Sequence, residues 1–95
     1  MELQEKVNST LEKIEAAKGF KYTPEVAALH LVEEVGELVN EIVTEKIKRS
    51  KTNLENLKGE IADVFILLSK IASLYKVDIE ECVKLKLRRI LDEKT

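Results

Sequence analysis

Aromatic residues, residues that interrupt helices and cysteines are all scarce in this 95-residue protein. It has no Trp, two Tyr, two Phe, one Pro, three Gly and a single cysteine, Cys82. One lone cysteine excludes an intramolecular disulfide, which makes a reducing cytoplasm the default setting. Leu, Ile, Val, Glu and Lys dominate instead, and this composition favours an all-helical fold. The length suits one domain, which we expect to span residues 1–95.

An excess of charge of one sign is also lacking, and so are long apolar runs. The formal net charge is −2, which gives no general drive toward nucleic acid or a membrane surface. No apolar run is long enough to span a bilayer, and the acidic start with Glu2 and Glu5 does not resemble a signal peptide. These features predict a cytoplasmic protein that binds neither nucleic acid nor membrane.

Apolar periodicity and capping signals predict four helices. Gly19 is expected to end the first helix, and Thr23 to cap the second with Pro24 at its first position. The sequence Thr52-Asn53-Leu54-Glu55 reads as a capping box for the third helix, and Asp78 reads as the cap of the fourth. The predicted helices cover residues 2–18, 23–50, 52–75 and 78–92. Their short connections predict an antiparallel four-helix bundle.

The second predicted helix contains LHLVEEVGELVNEI, residues 29–42, in which acids occur without any Lys or Arg. The acids are Glu33, Glu34, Glu37 and Glu41. Repulsion between like charges three and four residues apart costs on the order of 1–2 kcal/mol in total. On a helical wheel Glu34 borders the apolar arc, whereas Glu37 and Glu41 lie on an adjoining stripe. An acidic solvated face would account for this helix taken by itself.

The third predicted helix places acids where an apolar arc should face the core. Glu60 lies inside the arc, between Val64 and Leu67, and Asp63 lies at its edge. A carboxylate directed into a core is costly unless a cation or several donors meet it. Glu60 and Asp63 therefore require a partner.

An antiparallel pairing of the second and third helices would bring these acids together. Such a pairing would set Glu34 level with Asp63 and Glu37 level with Glu60. Its midpoint falls between Lys48 and Arg49, a few residues from the turn expected near Lys51. Four converging carboxylates, with no Cys and at most one His beside them, suit Mg²⁺ or Mn²⁺ rather than zinc. The sequence thus predicts that a metal ion supplies the missing counter-charge.

The fourth predicted helix offers cations. Lys86 falls inside its apolar stripe and Arg89 follows three residues later, whereas Lys58 and Lys70 are expected to lie off the apolar arc of the third helix. Lys86 could extend past the core with its stem buried, pair with the four acids, or meet a phosphate.

Four further residues, in or next to the predicted helices, each admit two roles. His30 precedes Glu34 by one turn and lies either at the rim of the site or on the surface without a role. Phe20 and Tyr22 precede the second helix, where core packing is expected in preference to stacking on a base. Cys82 is expected to be a small buried apolar group rather than a nucleophile.

The paired motif Glu34-x-x-Glu37 and Glu60-x-x-Asp63 resembles the signature of the all-alpha nucleoside triphosphate pyrophosphohydrolases, and of their MazG-like branch in particular. The words LVEEVGEL, GEIADVFILLSKIA and VDIEECVKLKLRRI carry the resemblance, which extends from about Thr23 to Ile90. The histidine-biosynthesis relatives usually carry a Tyr-His pair soon after the Asp, where this chain has Phe-Ile. Lys84 stands where full MazG proteins often have Asn.

The resemblance implies a Mg²⁺-dependent enzyme that cleaves nucleoside triphosphates between the α- and β-phosphates, giving a monophosphate and pyrophosphate. House-cleaning of non-canonical nucleotides is among the roles expected of it, and Mn²⁺ is an acceptable substitute for Mg²⁺. The residues implied are Glu34, Glu37, Glu60 and Asp63 for the metal, and Lys86 and Arg89 for the phosphates. Either Glu34 or Glu37 would orient or deprotonate the attacking water.

The apolar arcs of the second and third helices are wider than one small bundle can bury. A lone chain should therefore leave apolar surface exposed, which predicts a homodimer or a dimer of dimers. Gly36, inside the second arc, suggests a close helix approach. The alternative function is a non-catalytic helical dimer, a regulatory or interaction module whose acids pair with Lys and Arg.

Overall fold

A computed structural model describes residues 1–47 and 53–94, apart from the side chains of residues 45–47. These residues form four helices and no strand, which confirms the all-α prediction. The helices are α1 (Glu2–Lys18), α2 (Pro24–Ile47), α3 (Leu54–Leu74) and α4 (Ile79–Lys94). None of the described helices is both long enough and apolar enough to cross a membrane.

The end of α1 and the start of α2 lie at the capping residues that the sequence predicts. Gly19 adopts a left-handed conformation with φ 71°, and its N–H donates to the carbonyl of Glu15 at 2.9 Å. Thr23 caps α2 by accepting a hydrogen bond on Oγ1 from the N–H of Val26 at 3.2 Å. The predicted end of this helix at Ser50, and the turn near Lys51, lie outside the described residues.

The cap of α3 differs from the one the sequence suggested. Oδ1 of Asn53 accepts a hydrogen bond from the N–H of Asn56 at 3.1 Å, so Asn53 is the N-cap and the helix begins at Leu54. Thr52, the predicted cap, lies outside the described residues. Asp78 caps α4 as predicted, because its Oδ1 accepts from the N–H of Glu81 at 3.1 Å.

The chain forms two compact units, and the first contains residues 1–21 and 69–95. A buried charge pair holds it together: Nζ of Lys70 lies 3.0 Å from Oε1 of Glu15 and 3.3 Å from Oδ1 of Asn8. Lys70 is only 4% exposed. The sequence placed Lys70 off the apolar arc of α3 but did not predict its burial, which arises because α1 covers that side of α3.

A second polar connection in this unit joins α1 to the turn between α3 and α4. The buried amide of Gln4 donates to the carbonyl of Val77 at 2.7 Å and accepts from the N–H of Ile79 at 2.8 Å. In addition, the amino group of Met1 donates to Oδ2 of Asp78 at 2.7 Å. These bonds tie the start of α1 to the start of α4.

Helix α4 has no buried residue. Cys82 is exposed, and its thiol donates to the carbonyl of Ile79 at 3.2 Å. It lines an open cavity of about 270 Å³ together with Leu85 and Arg88. The prediction of a buried Cys82 was wrong, because nothing in the described structure covers this face of α4.

The second compact unit, residues 22–68, contains α2 and most of α3. Ala27 and Leu67 are its buried apolar side chains. The predicted apolar arc of α2 is covered only in part, since Leu31, Leu38 and Val43 are half-buried. The exposed apolar edge of α2 consists of Val32, Val35, Val39 and Ile42. The width of the arc predicts that a single chain leaves apolar surface exposed, and these residues are exposed.

Candidate metal centre

Three carboxylates converge within the unit formed by residues 22–68. Glu34 and Glu37 are three residues apart and share a face of α2, and Glu60 comes from α3. One oxygen from each of Glu34, Glu37 and Glu60 lies within 4.8 Å of the others. Helix α2 thus presents two acids directly to a third acid on the facing helix.

Two of these acids carry a buried oxygen that lacks a hydrogen-bond partner. Among the described residues, Oε2 of Glu34 and Oε2 of Glu60 are buried without a donor. An unpaired carboxylate oxygen that is removed from water loses its hydration and gains nothing in return. The group of three carboxylates therefore needs a cation, or bound protons, to satisfy these two oxygens.

The pKa values of Glu34 and Glu60 are both raised, as expected for carboxylates that lack a cation. A hydrogen bond to Glu60 raises the pKa of Glu34 to about 7, assisted by burial and by the negative charges of Glu37 and Asp63. The hydrogen bond from Glu34 lowers the pKa of Glu60, but burial and the charges of Glu37 and Asp63 outweigh it, so this pKa is also raised. Without a cation, a proton shared by Glu34 and Glu60 relieves part of the repulsion.

The donor set fits a hard divalent cation. Mg²⁺ prefers oxygen ligands, and all three groups are carboxylates whose oxygens lie within 4.8 Å of one another. Small side-chain adjustments would let Glu34, Glu37 and Glu60 hold such an ion, and the two unpaired oxygens would gain a partner.

Asp63, the fourth acid of the sequence motif, does not belong to this group. Its side chain is exposed, although its charge contributes to the raised pKa values of Glu34 and Glu60. The expected register set Glu37 level with Glu60, and oxygens of these two carboxylates lie within 4.8 Å of each other. Glu60 also approaches Glu34, which was expected to lie level with Asp63.

The predicted phosphate-binding residues lie on α4, in the other compact unit. Both Lys86 and Arg89 are exposed, and three-residue spacing places them on one face of the helix. No described residue forms a salt bridge with Lys86, whereas Lys70 pairs with Glu15 and Lys58 pairs with Glu55. The acids of the centre are thus not neutralised by a described lysine.

Tyr22 and His30, near the start of α2, form an aromatic contact that the sequence did not predict. The rings of Tyr22 and His30 meet edge to face, with centroids 5.9 Å apart and planes at 88°. His30 is exposed and Tyr22 is half-buried, and Phe20 is also exposed rather than packed in a core. The available signal was the position of His30 on the same wheel stripe as Glu37.

Comparison with known proteins gives one match. The family model of the MazG nucleotide pyrophosphohydrolase domain matches residues 22–91, which include α2, α3 and most of α4 but not α1. Neither the curated proteins nor the solved structures gave a match to this chain.

Proposed function

Since the chain belongs to the MazG nucleotide pyrophosphohydrolase family, we propose that it is a Mg²⁺-dependent hydrolase of nucleoside triphosphates. It cleaves between the α- and β-phosphates and releases a monophosphate and pyrophosphate. Its proposed setting is the cytoplasm, with non-canonical nucleotides among its substrates. The observation that carries the proposal is the group of Glu34, Glu37 and Glu60, with two buried oxygens that lack a partner among the described residues.

The acids divide the work between binding and proton transfer. Glu60 serves only as a ligand, because it lies on the packed face of α3 and its Oε2 is buried. Glu37 is exposed and can contact a water molecule that attacks phosphorus, and an oxygen of Glu34 that is not committed to the cation could take up the proton of that water. Either can orient that water. A divalent cation held by these residues supplies charge neutralisation at the phosphate oxygens.

A pyrophosphate-release assay tests the activity. The panel contains canonical and modified nucleoside triphosphates, with Mg²⁺, with Mn²⁺ and with EDTA. Glu60→Gln should abolish turnover and leave helical circular dichroism unchanged. Glu33→Gln is the matched control, because Glu33 is an exposed acid on α2 outside the group. Wild-type turnover by Glu60→Gln would reject Glu60 as a ligand, and no release from any triphosphate would reject the function.

Lys86 and Arg89 are proposed to bind the substrate phosphates. The family resemblance and their exposed positions on one face of α4 support this role. Lys86→Ala should raise KM or lower kcat at least tenfold, which corresponds to about 1.4 kcal/mol. Lys84→Ala is the control on the same helix. Near-normal kinetics with a large loss of stability would show instead that Lys86 is a structural partner.

The active form is proposed to be a homodimer or a dimer of dimers. The exposed apolar edge of α2 supports it, with Val32 as much as 69% exposed. Val32→Glu should dissociate the assembly in sedimentation experiments, because a charge there opposes burial of the edge. A wild-type protein that sediments as a monomer at all concentrations would contradict this part of the proposal.

A further inference from the structure

His30 lies on the same face of α2 as the metal centre. It precedes Glu34 by four residues and Glu37 by seven. At about 100° per residue, His30 is rotated about 40° from Glu34 and about 20° from Glu37, in opposite directions. The imidazole therefore stands in line with the two carboxylates, about 6 Å from Glu34 along the helix axis.

The imidazole of His30 contacts the ring of Tyr22. The pair meets edge to face with centroids 5.9 Å apart, which is a favoured aromatic geometry. Tyr22 immediately precedes the cap Thr23, which accepts a hydrogen bond from the N–H of Val26 at the start of α2. Tyr22 is half-buried, whereas the His30 side chain in contact with it is exposed to solvent.

The two ends of this stripe differ in chemistry. Toward the start of α2 it ends in the Tyr22–His30 pair, and toward the end of α2 it continues with the carboxylate of Glu41. A nucleoside triphosphate has a matching polarity, with a flat aromatic base at one end and phosphates that require a cation at the other. Exposed aromatic rings bind bases by stacking on either π-face, which tolerates differences in base identity.

We propose that His30 stacks on the nucleobase of the substrate and that Tyr22 is the residue that positions the His30 ring. This inference rests on the proposed function, because it takes the phosphates to lie at the Glu34–Glu37–Glu60 centre. It assigns the base to the side of the centre nearer the start of α2.

Steady-state kinetics with and without a base on the ligand test the assignment. The probes are a panel of nucleoside triphosphates as substrates and inorganic tripolyphosphate, which lacks a base, as a competitive inhibitor. His30→Ala and Tyr22→Ala should raise KM for the nucleotides at least tenfold and leave inhibition by tripolyphosphate within twofold. Tyr22→Phe keeps the ring and should retain the wild-type KM. Tyr75→Ala removes another exposed aromatic residue and is the control.

The possible results separate this inference from the function on which it rests. A wild-type enzyme that turns over nucleotides, beside His30→Ala and Tyr22→Ala variants with unchanged KM, overturns the base site alone. Equal weakening of nucleotide and tripolyphosphate binding would also overturn it, since the pair would then support the phosphate end. A wild type without turnover rejects the proposed function. The base site then stands only if nucleotide binding, measured by calorimetry with Mg²⁺, weakens in His30→Ala while tripolyphosphate binding does not.

Discussion

At the scale of single residues, Glu34 is the position where hydrogen bonding, burial and neighbouring charge act in the same direction. All three raise its pKa, from 4.5 to about 7. A carboxyl group with a raised pKa binds its proton more tightly in the folded chain than in the unfolded chain. Its ionisation therefore opposes folding, unlike that of Asp78, whose pKa is lowered by its hydrogen bond with the amino group of Met1.

In the absence of metal, we expect the stability of the protein to fall as the pH rises from about 4.5 to about 7. Below this window Glu34 is protonated in both states and its contribution is fully present, and above it the contribution is lost. Urea unfolding in EDTA across this range measures the effect. Glu34→Gln should flatten the slope and Glu33→Gln should not. A stability that rises with pH in wild type and in Glu34→Gln alike would contradict the assignment.

The sequence predicted which acids would be costly and that Glu37 would meet Glu60, but not the full membership of the group. Wheel positions give the direction of a side chain on its own helix, so Glu34, Glu37 and Glu60 were identified. Distances between side chains on two helices also depend on the turn that joins the helices and on their packing. The approach of Glu60 to Glu34, with Asp63 exposed, therefore did not follow from the spacing.

At the scale of elements, α1 is attached to the end of α3 by a buried charge pair. Lys70 and Glu15 are both nearly inaccessible to solvent, and Nζ of Lys70 lies 3.0 Å from Oε1 of Glu15. Wheel reasoning on α3 alone placed Lys70 off the apolar arc, and it could not show that α1 would cover that side. The helix bounds were easier to predict, since Gly19, Thr23 and Asp78 act through hydrogen bonds to nearby backbone.

Removal of one partner of this pair should be strongly destabilising. We expect Lys70→Ala to lower the free energy of unfolding by about 3–5 kcal/mol, because it removes the ammonium group that lies 3.0 Å from the buried carboxylate of Glu15. The double variant Lys70→Met with Glu15→Leu should recover most of the loss. Lys58→Ala, which breaks an exposed pair at 3.5 Å, should cost no more than about 1 kcal/mol. A double variant no more stable than Lys70→Ala would rule out this explanation.

The two helical glycines allow a matched comparison. A Cβ added at Gly36 or at Gly59 would meet no atom within 4 Å. Alanine should therefore raise the helix stability by about 1 kcal/mol at either position, through propensity alone. Urea unfolding and sedimentation should be measured together. If Gly36→Ala weakens self-association while Gly59→Ala does not, Gly36 is where a second chain approaches closely.

At the scale of the whole molecule, the described residues bury few large apolar side chains. The group formed by Glu34, Glu37 and Glu60 also lacks a neutralising lysine among them. The described core of residues 22–68 includes Ala27 and Leu67, whereas the apolar edge of α2 remains open. Composition and periodicity predicted an all-α protein with apolar surface to spare. They could not say which edge of the arc would be covered, because that depends on which residues of α3 pack against α2.

Mg²⁺ at 100 times its Kd should raise the melting temperature by roughly 10–20 °C. An ion present at 100 times its Kd stabilises the folded state by about 2.7 kcal/mol, and 1 kcal/mol shifts a domain of this size by about 4–8 °C. Glu60→Gln should lose the shift, and Asp63→Asn should keep part of it, because Asp63 lies outside the group of three. Complete loss in Asp63→Asn would make Asp63 a ligand, as the sequence motif suggests. No shift in wild type would argue for the non-catalytic module.

The charge pair between Lys70 and Glu15 also constrains how this protein can change by descent. Helix α1 lies outside the residues matched by the family model, so its attachment can vary among relatives. A lineage that loses one member of the pair loses a buried ion pair, which is strongly destabilising, and selection would remove the change or favour a second replacement. Positions 15 and 70 should therefore vary together among homologues that retain α1 and independently in those that lack it.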